Sequence, residues 1–457
     1  MPDTVDTADR RTHLAESAVR HRLNRILSLA LPVAGAQLSQ SLFSLVDTAM
    51  VGVLGPASLA AVGLAGFANF VAISIVTGLS TGVQTMAARR LGDGGRAATY
   101  PVLAGGLVLA LIASIPLSIA LFAVTPALFP LLNGDPAVVS EGGPYLQARL
   151  AGLAAVAVAM VFRGWWNGVQ NPMDYLRCLL MMHAINVVLN YGLIFGKLGM
   201  PELGSLGAGI GTTIALFFGA AWYLFQMRRS LRADRARLTL PGRAAFQTML
   251  RLSIPSSIQL VFLALGFEVL LWIVGTIGTA ELAAANVLIV VTLIGMRIGL
   301  SLGLASAALV GHAMGCGDFR GARQWGWDTV MVGAFAMAVL GAPLLLAPDA
   351  VTGLFLHEPT VIQLARRPMI LVGLGFVFDA VGIVLINSLF GAGASRQAMT
   401  ITTALQWLLF LPLAWLVGQH YGYGLTGIWL CFAGYRLFQA VILAALWDGA
   451  RWQTIRV

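Results

Sequence analysis

One carboxylate, Asp47, stands in the otherwise uncharged run PVAGAQLSQSLFSLVDTAMVGVLG from Pro32 to Gly55. Carrying an aspartate into hydrocarbon costs roughly 3 kcal/mol or more, so an acid in such a run faces a bundle interior or a wet cavity and marks a site. With no basic residue read at that depth in the apolar parts of the first six helices, the Asp47 carboxyl is free to load and release a proton. That makes it a proton-coupling candidate; the structural alternative is a carboxyl kept neutral by Gln40, Ser44 or Thr48.

The second half holds a different set. Glu268 and Asp379 share it with Arg297 and Arg436, all inside apolar stretches. Two acids and two arginines suffice for a charge-balanced network, in which the arginines are the charge partners of the acids and leave little charge to hold sodium. Asn186 and Asn190, four residues apart, together with Thr212 and Gln40, are candidates to line a cavity or meet a substrate. Hydrogen bonding between helices accounts for them equally well. His183 is a further proton-relay candidate, and Gly311 with Gly315 reads as close helix packing. Cys178, Cys316 and Cys431 lack metal or redox spacing and read as unpaired. The segment GLIFGKL from Gly192 to Leu198 has the wrong spacing for a phosphate loop and no Ser or Thr after Lys197. No enzyme, cofactor or firmly assigned metal site is expected.

The elements that must position these residues are helices in a bilayer. Over 457 residues the chain is 58% hydrophobic and only 10% charged, with mean hydropathy +0.84. Soluble domains carry about 25% charged residues, so this is an all-α polytopic membrane protein. Apolar segments separated by Gly, Pro and charge clusters predict about twelve transmembrane helices, near 26–53, 58–90, 98–125, 137–169, 173–196, 204–228, 246–276, 281–314, 322–347, 360–391, 397–418 and 424–447. The net charge of +9 sits mostly in alternate loops, Arg89 to Arg96, Asp174 to Arg177, Arg228 to Arg243, His312 to Arg323 and Ser395-Arg396. By the positive-inside rule these loops and both termini are cytoplasmic, and no nucleic-acid partner is implied. The basic amino-terminal stretch lacks the short apolar core of a removable signal.

An internal repeat organises the chain. At a fixed offset of 223 residues Val46 meets Val269, Gly52 meets Gly275, Gly92 meets Gly315, Pro136 meets Pro359, Gly168 meets Gly391. Six helices return the chain to its starting side, so two six-helix lobes of the same orientation are expected, related by an axis along the membrane normal. The boundaries follow: a tail over 1–25, an amino-terminal lobe over 26–228, a basic linker over 229–245, a carboxy-terminal lobe over 246–447 and a tail over 448–457. The candidates break the symmetry, since Asp47 matches Leu270, Glu268 matches Leu45, Asp379 matches Val156 and Arg297 matches Ser74.

Two stretches then resemble a known family. LVDTAMVGVLGPASLAAVGL, Leu45 to Leu64, and FDAVGIVLINSLFGAGASR, Phe378 to Arg396, look like the multidrug and toxic compound extrusion family, in its DinF-like and NorM-like branches. The resemblance implies two lobes around a V-shaped cavity in the bacterial inner membrane, exporting organic cations or amphipathic compounds in exchange for protons or sodium. It places the first-helix coupling acid on Asp47, and the tenth-helix acid on Asp379, twelve residues before Gly391. There are departures. The family position about eight residues after the seventh-helix Pro is Leu263 here, with Glu268 five further on, and the Asn-then-Asp pair of many DinF-like fifth helices is Asn186 and Asn190. The expected protein is a monomeric secondary-active antiporter in contact with membrane lipid, with proton coupling before sodium. The alternative is a flippase for a lipid-linked precursor with a related two-lobed fold, for which several cationic cavity residues would be needed to meet a pyrophosphate.

Overall fold

The structure, a computed structural model, describes residues 3–449 and 451–455, with the side chains of residues 3–16 and of Ala18 excepted. Parts of the two expected tails, 1–25 and 448–457, lie outside the described residues. Among the described residues there are helices and turns but no strands. Eleven helices are long and apolar enough to cross a membrane, or twelve when one bent pair counts as a single span.

The first half contains α1 (Asp3–Gly52), α2 (Pro56–Gly94), α3 (Tyr100–Leu132), the bent pair α4 (Pro136–Ala151) and α5 (Leu153–Gly168), α6 (Pro172–Phe195) and α7 (Gly204–Ala233). Proline opens α2, α4 and α6, where its missing N–H costs nothing, and Asp135 caps α4 by accepting from the Ala137 N–H at 2.9 Å. The fourth predicted helix, 137–169, is broken at Gly152 with a bend of 47°. α1 starts well before residue 26, because the polar stretch from Asp3 to Arg25 contains neither Gly nor Pro to stop the helix.

The second half repeats the plan with α8 (Arg243–Gly275), α9 (Thr279–Gly315), α10 (Phe319–Leu346), the short α11 (Pro348–Gly353), α12 (Pro359–Gly391), α13 (Ser395–Ala404), α14 (Leu411–Trp415) and α15 (Gly424–Asp448). Two π-helical segments, Leu405–Phe410 and Leu416–His420, join α13 and α14 into the eleventh span. Side chains such as Ile112 (64% exposed) and Phe335 (74%) cover the outside, as a surface solvated by lipid requires.

The repeat is visible in matched contacts. Gly168 lies against the Gln84 carbonyl and Gly391 against the Ala307 carbonyl; both the glycines and the carbonyls are 223 residues apart. One apolar core fills the first half. Two others fill the second, and the one built on α9, α12 and α15 takes in Ile26, Leu29 and Ala30 of α1. Thus α1 begins against the second lobe and ends against α6 of the first, while α8 packs on α2 in return. Each lobe's first helix crosses the interface.

Hydrogen bonds between the lobes lie from the middle of α2 toward its basic end. Ser257 donates to the Ile75 carbonyl at 2.6 Å, Gln84 to Leu304 at 2.8 Å, and Thr85 to Phe390 at 2.8 Å. Arg89 donates to the carbonyls of Ala392 at 2.6 Å and Ile455 at 2.9 Å. The loops expected on one side of the membrane therefore gather at one end.

Candidate functional site

The upper part of α1 meets α6 along a polar seam. Ser39, Phe43 and Asp47 recur every four residues and so share one helix stripe; His183, Asn186 and Asn190 form the facing stripe. Asn190 donates its amide N–H to the Asp47 carboxylate at 2.7 Å. Two turns nearer the basic end, Ser39 Oγ lies 2.8 Å from His183 Nδ1, and the Phe43 ring stacks on the imidazole with centroids 4.6 Å apart. Between these contacts both side-chain polar atoms of Asn186 are buried without a protein partner, as is Asn190 Oδ1. Buried amide groups are costly when unmatched, so the seam has spare hydrogen-bonding capacity beside a carboxylate.

Asp47 itself is half-buried and Gln40 is exposed. Ser44 and Thr48 do not serve the carboxylate as neighbours on the same helix: Thr48 donates to the Ser44 carbonyl at 2.8 Å. Thr212 is buried, but its hydroxyl is committed to the Ala208 carbonyl of its own helix at 2.8 Å. α7 contributes instead through Gly211, where a Cβ would lie 2.3 Å from Asn190 Oδ1. The expectation that basic residues are absent at this depth needs correction. Arg149 of α4 acts electrostatically on Asp47. Counting residues along one helix gives a depth but not which neighbouring helix leans toward it, and α4 packs between α2 and α7.

In the second lobe the four charged candidates separate. Arg436 Nε stands 2.7 Å from Asp379 Oδ1 with both side chains almost wholly buried, an ion pair joining α15 to α12. Glu268 and Arg297 are exposed instead. Among the described residues no group of three or more His, Cys, Asp or Glu is arranged to hold a metal ion, and the three cysteines are unpaired.

The seam residues Ser39, Phe43, Arg149 and Gly211 were not singled out from sequence. The first two had a readable signal, the four-residue spacing that aligns them with Asp47; the others come from helices whose packing partners the sequence does not specify.

Comparison with known proteins agrees with this architecture. The MatE family profile matches residues 32–192 and again 255–416, two copies whose starts have the same 223-residue offset. The chain is similar to the multidrug resistance protein NorM of Burkholderia vietnamiensis, 30% identical over 431 residues that cover 91% of each chain. It is also similar to the probable multidrug resistance protein NorM of Thermotoga maritima, 24% identical over 454 residues covering 97% of this chain and 96% of that one. In fold it matches an outward-facing multidrug resistance MATE family transporter of the MOP superfamily, with a TM-score of 0.85 at 21% identity over 93% of this chain and 96% of that one. With the family profile found once in each lobe and the polar seam built on the first copy, the chain belongs to the MatE family of membrane transporters.

Proposed function

We propose that the chain is a secondary-active multidrug exporter that expels organic cations or amphipathic compounds from the bacterial cytoplasm in antiport with protons. Sodium is the second choice of ion. The observation that carries this reading is the seam at Asp47: one carboxylate in a membrane helix, held by Asn190 and flanked by the unmatched amide of Asn186. A carboxyl so placed can trade a proton for other partners as the helices shift. The NorM relatives support the multidrug class of substrate.

The positive-inside rule sets the rest. The end where the lobes meet carries Arg22, Arg25, Arg89, Arg90, Arg320 and Arg323, so this reading puts that end on the cytoplasmic side. Both termini then lie inside, in the inner membrane, and the monomer is the working unit. In the outward-facing state a proton loads Asp47 and releases cargo; the inward-facing state loses the proton and accepts new cargo, as two lobes rocking about a midplane site allow. The cargo undergoes no chemical change.

The deciding measurement is ethidium transport in proteoliposomes of purified protein, with an imposed proton gradient and separately a sodium gradient. Accumulation against the proton gradient alone is expected. Movement driven by sodium alone would reassign the ion, and none under either gradient would shift the reading to the flippase.

A further inference from the structure

In the second lobe an acid and a base depart from the repeat together. Asp379 corresponds to Val156 of the first lobe, and Arg436, counted from the matching helix starts at Gly204 and Gly424, corresponds to Leu216, so an ion pair stands where the other half has two uncharged residues. The side chains are 2% and 7% exposed and 2.7 Å apart. Arg436 is fixed from several directions besides. Its Nη1 donates to Gln439 Oε1 at 3.0 Å, its Nη2 lies 3.6 Å from Met296 Sδ, and the guanidinium sits over the rings of Phe432 at 5.3 Å and Tyr435 at 5.6 Å. An arginine keeps its charge at every physiological pH. Any proton or metal cation arriving at Asp379 would have to displace a cation that is covalently part of the chain and already clamped.

We propose that Arg436 is a tethered counter-cation that removes Asp379 from ion exchange, leaving the acid of the tenth span as an architectural partner outside the coupling step. This rests on the exporter reading above and sharpens it by excluding one of the candidate coupling acids. A coupling carboxyl cannot be dispensed with by any compensating change. A structural ion pair can, since deleting one member strands a buried charge while replacing both by neutral groups is often tolerated.

The test is a double-mutant cycle in proteoliposomes, reading the initial rate of proton-driven ethidium transport and its pH profile beside the melting temperature of each purified variant. Asp379→Asn and Arg436→Gln are each expected to lose about 10-fold in rate or more and to melt lower, whereas the double variant recovers to within about 3-fold of the unmodified protein with an unchanged pH profile. Charge reversal, Asp379→Arg with Arg436→Asp, is a second route to the same rescue. A neutral double variant that melts like the parent yet no longer couples transport to the proton gradient overturns the proposal, as does one whose pH profile loses a step. Failure of the parent protein to transport under a proton gradient would count against the exporter reading instead. The melting cycle keeps the two apart: singles no less stable than the double would sink the tethered pair whatever the transport result.

Discussion

Gly92 and Gly315 occupy matching positions of the two halves and meet each other's helices across the lobe interface. A Cβ on Gly92 would lie 2.3 Å from the His312 carbonyl, and one on Gly315 would lie 2.1 Å from the Arg89 carbonyl. Arg89 and His312 are themselves 223 residues apart, so the contact is reciprocal. Backbone meets backbone there, and only glycine permits the approach. In a two-lobed carrier such a crossing is where one end opens and closes.

Gly315→Leu or Gly92→Leu should therefore hold that end apart. Overpacking of this kind costs about 1–3 kcal/mol, enough to shift a two-state equilibrium by about 5- to 150-fold. Cys316, whose Sγ lies 3.4 Å from the Gly92 carbonyl, is a native reporter. With Cys178 and Cys431 replaced by alanine, its maleimide labelling should accelerate in either leucine variant while transport falls; an unchanged rate would contradict the gate.

At the polar seam, Asp47→Asn should abolish proton-driven ethidium transport while the protein still binds the dye, measured by fluorescence polarisation. Removing the partner with Asn190→Ala takes away a hydrogen bond to a charged group, worth about 1.5–3 kcal/mol, and should slow transport by about 10-fold or more. Gly211→Ala offers an independent check. It touches no ion, yet its methyl would press on Asn190 Oδ1 and should slow transport in the same direction.

Arg89 ties the first lobe to two carbonyls of the second, at Ala392 and at Ile455 near the carboxyl terminus. Arg89→Gln and truncation after Ala450 remove overlapping contacts. Their effects on Cys316 labelling should be non-additive, the double variant falling short of the product of the singles. Simple multiplication of the two effects would mean that the contact at Ile455 carries no weight.

Trp452 is 1% exposed and stacks on Trp447 with centroids 4.1 Å apart and planes within 5°. Truncating a buried tryptophan costs about 3–5 kcal/mol. Trp452→Ala should lower the apparent melting temperature in detergent, whereas Trp415→Ala, at an exposed position, should leave it nearly unchanged.

The membrane class, the all-helical fold, the repeat and its two lobes were all legible in the chain, because hydropathy, span length and the 223-residue register are local or periodic properties that survive without knowing any contact. Helix ends were less so. The break at Gly152 and the π-helical segments of the eleventh span answer to packing and leave little trace in an apolar run. Asp47 stood out alone because a single charge in hydrocarbon is conspicuous in any apolar window. What only the tertiary structure decided was partnership: Asn190 rather than Thr48 for Asp47, Arg436 rather than Arg297 for Asp379, and lobes tied together at their basic end. Those pairings depend on which helix faces which, and a face rotates by 100° with every residue, so long-range neighbours are set by the assembled bundle rather than by position along the chain.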